Sequence, residues 1–356
     1  MAKVLMGMSG GVDSSAAAKV LLDEGYEVAG ATVVMFRDDE VSCDEMKKGG
    51  TEKNIADAAS VAGKLGIEHF VLDFTEEFKK HVTDDFVDCY LEGRTPNPCI
   101  ECNKYIKFGK MLDEALERGF DYIATGHYAL KEFDENTGRY LLKRPQDRSK
   151  DQTYVLYNMT QHQLKHTLFP LYSYTKPEIR KIAEEAGLVT AGKADSQDIC
   201  FVPDGKYAEF IKSRTEKTIS EGDFTDTEGK ILGKHKGIIY YTPGQRKGLG
   251  IALGKPAFVV SKDPSSNIVV LGDESDLYTS ELTAYDVNLI SVEKLSEKIR
   301  VTAKVRYNQK DVPAFISPLD DGRVKVEFDD PQRAVSPGQS VVFYDGDIVV
   351  GGGKIE

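Results

Sequence analysis

The chain has 356 residues, with hydrophobic residues at 40% and charged residues at 29%, a balance that suits two or three globular domains with ample core. No apolar run approaches the roughly 18 residues of a membrane span, and with a first strand at Lys3 no signal peptide is expected. Five cysteines, an odd number spread along the chain, argue against a disulfide scaffold and for a reducing cytoplasm.

The formal net charge is −12, but binding of a polyanion depends on where cations cluster. Seven Lys/Arg fall between Lys230 and Lys262 with no acidic residue, and five between Arg139 and Lys150 against Asp147 alone. Either segment suits a solvated face or a phosphate backbone.

In chain order, "KVLMGM" predicts a buried strand, Ser14 to Glu24 a helix, "EVAGATVVMF" a strand and Asn54 to Leu65 a helix. "HFVLDF" then leads into a helix over about 75–91, and a helix over about 103–118 precedes the strand "DYIATGHYA". Strands alternating with helices predict an α/β fold with a doubly wound parallel sheet, whose ligands collect at the strands' carboxyl ends. Beyond about Phe210 the runs become short, β-rich and broken by Gly and Pro. From Glu281 onward some six short strands separated by "DDG", "SPG" and "YDG" predict a closed barrel. The expected division is a catalytic α/β domain at 1–205, a small central β-rich domain at 206–277 and a C-terminal β-barrel at 278–356.

Between the first strand and helix lies "GMSGGVDSS". Gly7, Met8, Ser9, Gly10, Gly11, Val12, Asp13 and Ser14 can cradle an anion with backbone N–H groups at a helix N-terminus. The stretch is neither a Walker A loop nor a dinucleotide GxGxxG. Asp13 suits a magnesium ion accompanying phosphate. SGGVDS resembles the loop of the N-type ATP pyrophosphatases, which cleave ATP to AMP and pyrophosphate.

"GRTPNPCIECNKYIKFG" places Cys99 and Cys102 behind two prolines and ahead of an expected helix. A helix N-terminus favours thiolate. Taken alone, Cys102 could equally be a packing cysteine, and Cys200 in "SQDICF" strand core. Asp195, Asp198 and the apolar flank of Cys200 would raise its pKa, and Lys193 or a bound substrate is expected to offset this. Cys89 reads as helix packing, and Cys43 has no comparable partner.

Together with "ATGHYA", "KDQTYVLY", "KADSQDICF" and "GQRKGLG", these motifs are similar to those of the tRNA-specific 2-thiouridylases over essentially the whole chain. That resemblance implies an ATP-dependent sulfurtransferase acting on the wobble uridine of tRNA. It implies Cys102 as nucleophile, Cys200 as persulfide carrier and a transient disulfide between them. It assigns Gly7 to Ser14, Met35 and Gly126 to ATP. To tRNA, through its anticodon loop, it assigns Asn97, Pro98, Cys99, His127, Lys150, Asp151, Gln152, Arg306, Tyr307 and Gln339. An upstream donor, a cysteine desulfurase or relay protein, would supply sulfur. The family often carries aspartate where Cys99 stands, with a proposed acid/base or base-contacting role that a thiol cannot fully take over.

Cys99, Cys102 and Cys200 would also suit an iron–sulfur cluster with one open iron, the alternative sulfur carrier. Zinc would lack a fourth ligand. A C–N-forming ATP-dependent ligase shares the loop but needs no cysteine pair.

Overall fold

In the computed structural model the described residues are 1–37, 50–193, 199–203 and 205–356. Cys43, Asp195 and Asp198 lie outside them.

The N-terminal part builds β1 (Lys3–Gly7), α1 (Val12–Asp23), β2 (Glu27–Val34), α2 (Gly50–Leu65), β3 (His69–Asp73), α3 (Thr75–Phe78), α4 (Asp84–Leu91), α5 (Pro98–Glu101), α6 (Met111–Glu117) and β4 (Tyr122–Ala124). After a hairpin of β5 (Leu130–Asp134) and β6 (Arg139–Lys143) come α7 (Gln161–Lys165), β7 (Thr167–Leu168), α8 (Lys176–Glu185) and α9 (Tyr207–Arg214). The sheet order is β3-β2-β1-β4-β7, with every pair parallel.

Side chains alternate across a strand, and β1 feeds two cores. Leu5 packs with α4 and α6 residues such as Phe86 and Leu112, while Val4 and Met6 pack with Ala17, Ala58 and Ile179 of α1, α2 and α8. This is the doubly wound arrangement expected from the alternating pattern. Strand order reverses direction between β1 and β4, so their carboxyl ends flank the crevice where such sheets bind ligands.

The central sheet orders β10 (Phe258–Asp263), β11 (Ile268–Gly272), β8 (Gly222–Thr225) and β9 (Ile231–His235). The C-terminal unit uses β12 (Tyr278–Leu289), β13 (Ile299–Lys304), β14 (Val312–Pro318), β15 (Val324–Arg333), β16 (Ser340–Asp345) and β17 (Ile348–Ile355). The order β12-β15-β14-β13-β16-β17 closes through β12–β17 pairing, which removes the open edges.

Two local expectations change, and one hairpin is added. The helix expected from Asn103 starts at Pro98, with proline at the position where its missing N–H costs nothing, so both cysteines lie within it. It runs in π register from Cys102 to Lys110. The helix over 75–91 likewise contains a π segment, Lys79–Thr83. The β5–β6 hairpin, legible in no hydrophobic period, joins the barrel sheet where Lys143 pairs with Ile348.

Candidate active site

The loop after β1 reaches α1 through Ser9, Gly10 and Gly11, with Gly11 as N-cap and no side-chain cap. The positive end of α1 is therefore left for an anion. Ser14 Oγ donates to Gly11 O at 3.2 Å and accepts from Ser9 N at 3.2 Å, which fixes the turn. Gly10 has φ +71°, and a Cβ there would meet Asn54 O at 2.7 Å, so only glycine serves. From the end of β4, Gly126 presses on the same loop: a Cβ would lie 2.9 Å from Ser14 N and 3.0 Å from Asp13 C.

Asp13 was expected to face magnesium. Instead its Oδ1 and Oδ2 accept from Lys176 Nζ at 2.7 and 2.8 Å, and Oδ1 also accepts from the Tyr128 hydroxyl at 2.9 Å. Three of its roughly four acceptor sites are thus engaged, with the Lys176 ammonium as the cation that neutralises the carboxylate in this arrangement. Lys176 was missed in the sequence because it reads as an ordinary residue of the first turn of α8. Lys193 donates to Gly10 O at 2.8 Å and pairs with Asp57 at 2.5 Å. The expected counter-charge to Cys200 thus sits at the phosphate loop.

The cation that does act on the thiols is Lys107. Hydrogen bonding from i to i+5 widens a π-helix, so residues five apart, such as Cys102 and Lys107, lie closer to one face than the roughly 140° separation an α-helix would give them. Burial raises the pKa of Cys99, Cys102 and Cys200, and the charge of half-buried Lys107 opposes that rise at each of them. The π register also explains Gly109, where a Cβ would stand 3.0 Å from Lys104 O.

Cys102 is buried, and its Sγ lies 3.6 Å from Met35 Sδ. Burial pushes its thiol up to about 11, against the opposing Lys107. Cys200 sits in a turn rather than in a strand, and both it and Cys99 keep exposed surface. Protein crowding around the Cys200 thiol still raises it, and Cys102 and Cys99 raise it further. The three thiols are thus within electrostatic reach of one another. Cys89 is buried in α4 as expected, its thiol pushed up to about 12 by burial and then by Asp85. No group of three or more His, Cys, Asp or Glu among the described residues is placed to hold a metal ion. The iron–sulfur alternative therefore gains no support from the described residues.

His127 is buried against Phe108, with Nδ1 2.8 Å from Thr125 Oγ1. Burial drives its pKa well down, with Lys107 adding to the effect. Several residues assigned to tRNA are engaged in internal bonds. Gln152 Oε1 accepts from Tyr128 N at 2.8 Å, Asp151 Oδ1 accepts from Thr153 N at 2.9 Å, and Arg306 donates to Ala334 O. Gln339 Nε2 donates to Thr95 O at 3.0 Å and Pro96 O at 3.2 Å. Tyr307 is exposed and lies within electrostatic reach of Asp151 and Cys99.

The basic segments are partly neutralised. Arg144 pairs with Asp311, Arg148 with Asp347, Lys234 with Asp223 and Lys255 with Asp273. Lys262 is held inside, donating to Tyr241 O at 2.9 Å, with burial lowering its pKa to about 8.

Fold and site together define an α/β nucleotide-loop protein with two β-rich appendages and a cluster of thiols. Residues 2–204 match a family described as tRNA methyl transferase HUP domain, 208–273 its PRC-barrel domain and 279–355 an aminomethyltransferase beta-barrel domain. The chain is 58% identical to the tRNA-specific 2-thiouridylase MnmA of Acetivibrio thermocellus, covering 99% of each chain. It is 55% identical to MnmA 2 of Caldanaerobacter subterraneus subsp. tengcongensis and to MnmA of Clostridioides difficile, in each case over 99% of this chain and 98% of the relative. The chain belongs to the tRNA-specific 2-thiouridylase family.

Proposed function

We propose that the protein is an ATP-dependent sulfurtransferase that 2-thiolates the wobble uridine of tRNA, with units bounded near 205 and 278. The observation that carries this reading is the contact between Cys102 Sγ and Met35 Sδ, just beyond the end of β2, the strand beside the phosphate-loop strand β1. This contact supports a single crevice serving both the loop and a thiol.

A uracil carbonyl oxygen is a poor leaving group. Its attack on the α-phosphorus of ATP expels pyrophosphate and turns it into a departing AMP. The backbone of Gly7 to Ser14 would hold the phosphates, with Met35 and Gly126 bordering the nucleotide. The terminal sulfur of a Cys200 persulfide then bonds to C2, and AMP leaves. Attack of the Cys102 thiolate on Cys200 Sγ breaks the sulfur–sulfur bond, leaving sulfur on the base and a Cys102–Cys200 disulfide. Two external thiols return the two electrons and leave as their own disulfide, and a cysteine desulfurase or relay protein reloads Cys200. Lys107 favours the thiolate in each step. Magnesium, when bound with ATP, would neutralise phosphate charge.

Asn97, Pro98 and Cys99 would line the base pocket, with Lys150 and Tyr307 at its rim and the buried His127 behind it. The anticodon wobble base is unpaired, so everting it costs little. Asp151, Gln152, Arg306 and Gln339 would serve tRNA by shaping the surface, since their side chains are bonded internally. A C–N-forming ligase would have no use for clustered thiols.

The test is incubation with unmodified tRNA transcript, ATP and a persulfide donor. Pyrophosphate, AMP and 2-thiouridine should form in equal amounts. Pyrophosphate release that ignores tRNA, or an amidine product, would contradict the reading.

A further inference from the structure

The segment bearing Cys99 and Cys102 is held from outside its own domain. Thr95 N donates to Pro337 O at 2.8 Å, Gln339 Nε2 reaches Thr95 O and Pro96 O, and Arg94 Nη1 donates to Tyr285 OH at 2.9 Å. Gly338 packs so closely that a Cβ would meet Arg94 Cβ at 2.9 Å and Thr95 N at 3.0 Å. All of these partners belong to the barrel.

Between the two cysteines stands Glu101, which is buried. Its Oε1 is 2.9 Å from Lys354 Nζ on β17, with side-chain exposures of 7% and 19%. Lys354 also faces Asp286 of β12 at 4.0 Å, and Asp286 accepts from Lys104 Nζ at 3.2 Å. Four charges of alternating sign thus cross the junction, two from the cysteine helix and two from paired barrel strands in which Tyr285 lies opposite Lys354. A buried ion pair adds little net stability relative to apolar packing, but it fixes geometry strongly, because breaking one side leaves the other charge stranded. A carboxylate one residue before the nucleophile, where an apolar side chain would pack more cheaply, calls for a role in geometry.

Resting on the sulfur-transfer reading, we propose that Glu101 is a positioning residue. Through Lys354 it locks the Cys99–Cys102 helix to the last barrel strand and sets the reach of Cys102 toward Cys200 and the base. The barrel then contributes to the sulfur step itself as well as to tRNA binding. Adenylation of the base, which uses the phosphate loop, does not depend on the lock.

The experiment uses full-length enzyme, tRNA transcript, ATP and a persulfide donor, and follows pyrophosphate and 2-thiouridine separately in single turnover. Lys354→Met should lower the rate of thiolation at saturating tRNA about ten- to a hundredfold, the scale of an ångström misplacement of a reacting group. The KM for tRNA and the pyrophosphate burst should stay within about threefold of wild type. Lys354→Arg, which keeps the pair, should restore most of the rate. Glu101→Gln, which keeps the side-chain volume, should show the same split and decides the matter should Lys354→Met not fold. If thiolation is unchanged in the folded variants, or falls only in step with the pyrophosphate burst or with tRNA affinity, the positioning role is overturned. Wild type that releases no tRNA-dependent pyrophosphate overturns the functional reading, and this proposal with it.

Discussion

At the scale of single residues, the site divides into groups that motifs announce and groups that only packing discloses. Cys102 and Cys200 stand out once "CNKYIKF" and "SQDICF" are read as motifs; taken singly, each looked like core. Lys107 and Lys176 were invisible, because a lysine's role depends on what its ammonium faces, and that is set by a π register and by the meeting of α8 with Asp13. Lys193, expected to offset the rise at Cys200, is engaged instead by Gly10 O and Asp57. The thiol chemistry makes a sharp prediction. Cys200→Ser should abolish 2-thiouridine while tRNA-dependent pyrophosphate release persists, and normal thiolation by this variant would refute the persulfide assignment.

His127 gives a prediction in pH. Burial holds its folded-state pKa well below the ordinary 6.5, so below that pH the unfolded chain binds a proton that the folded chain does not. Stability from this group is therefore lost as pH falls, with a slope of up to about 1.4 kcal/mol per pH unit. His69 and His235 are also lowered by burial and contribute in wild type and variant alike. Urea denaturation at pH 7.5 and 5.5 should show a drop about 1 kcal/mol smaller in His127→Asn than in wild type. An equal drop would show that His127 protonates freely in the fold.

At the scale of elements, the first strand, the loop and α1 were legible because apolar runs, glycines and a serine-rich helix start each carry a local cause. The interrupted helices were not. A π segment keeps a helical composition, and its extra residue per turn leaves no mark in a 3.6-residue period. Lys107 of this segment lies within electrostatic reach of the thiols. The strand expected through "DYIATGHYA" stops at Ala124, so Gly126 lies beyond it against the phosphate loop and His127 turns inward against Phe108. Gly126→Ala would force a methyl to within 2.9 Å of Ser14 N, where backbone rather than a flexible side chain must yield. Pyrophosphate release should fall by about tenfold or more, the equivalent of about 1.4 kcal/mol in the barrier, with the circular dichroism spectrum unchanged. Release at the wild-type rate would mean that the loop tolerates displacement.

At the scale of the whole molecule, the division into an α/β unit, a small β unit and a barrel followed from the change of hydrophobic period, and turn signals counted the barrel strands. How the barrel meets the α/β unit was not legible, because that surface is built by single close approaches. Gly352 on β17 is one: a Cβ there would stand 2.7 Å from Tyr157 Cδ2 and 2.6 Å from Val341 O. Tyr157 is itself fully buried, its hydroxyl 3.1 Å from Ser340 Oγ. Gly352→Val should therefore cost about 1–3 kcal/mol in urea denaturation through overpacking, and an unchanged midpoint would contradict so tight a docking. The acidic total likewise hid the outcome for the basic runs, since Arg144, Arg148, Lys234 and Lys255 are matched by carboxylates that come from other parts of the chain.

The central claim is that nucleotide activation and two thiols act on one base. It is tested most directly by a single turnover without reductant, followed by non-reducing peptide mapping and nucleoside mass spectrometry of the same sample. One Cys102–Cys200 disulfide should form for each 2-thiouridine and each pyrophosphate. Full yield of 2-thiouridine with both cysteines still free would contradict it.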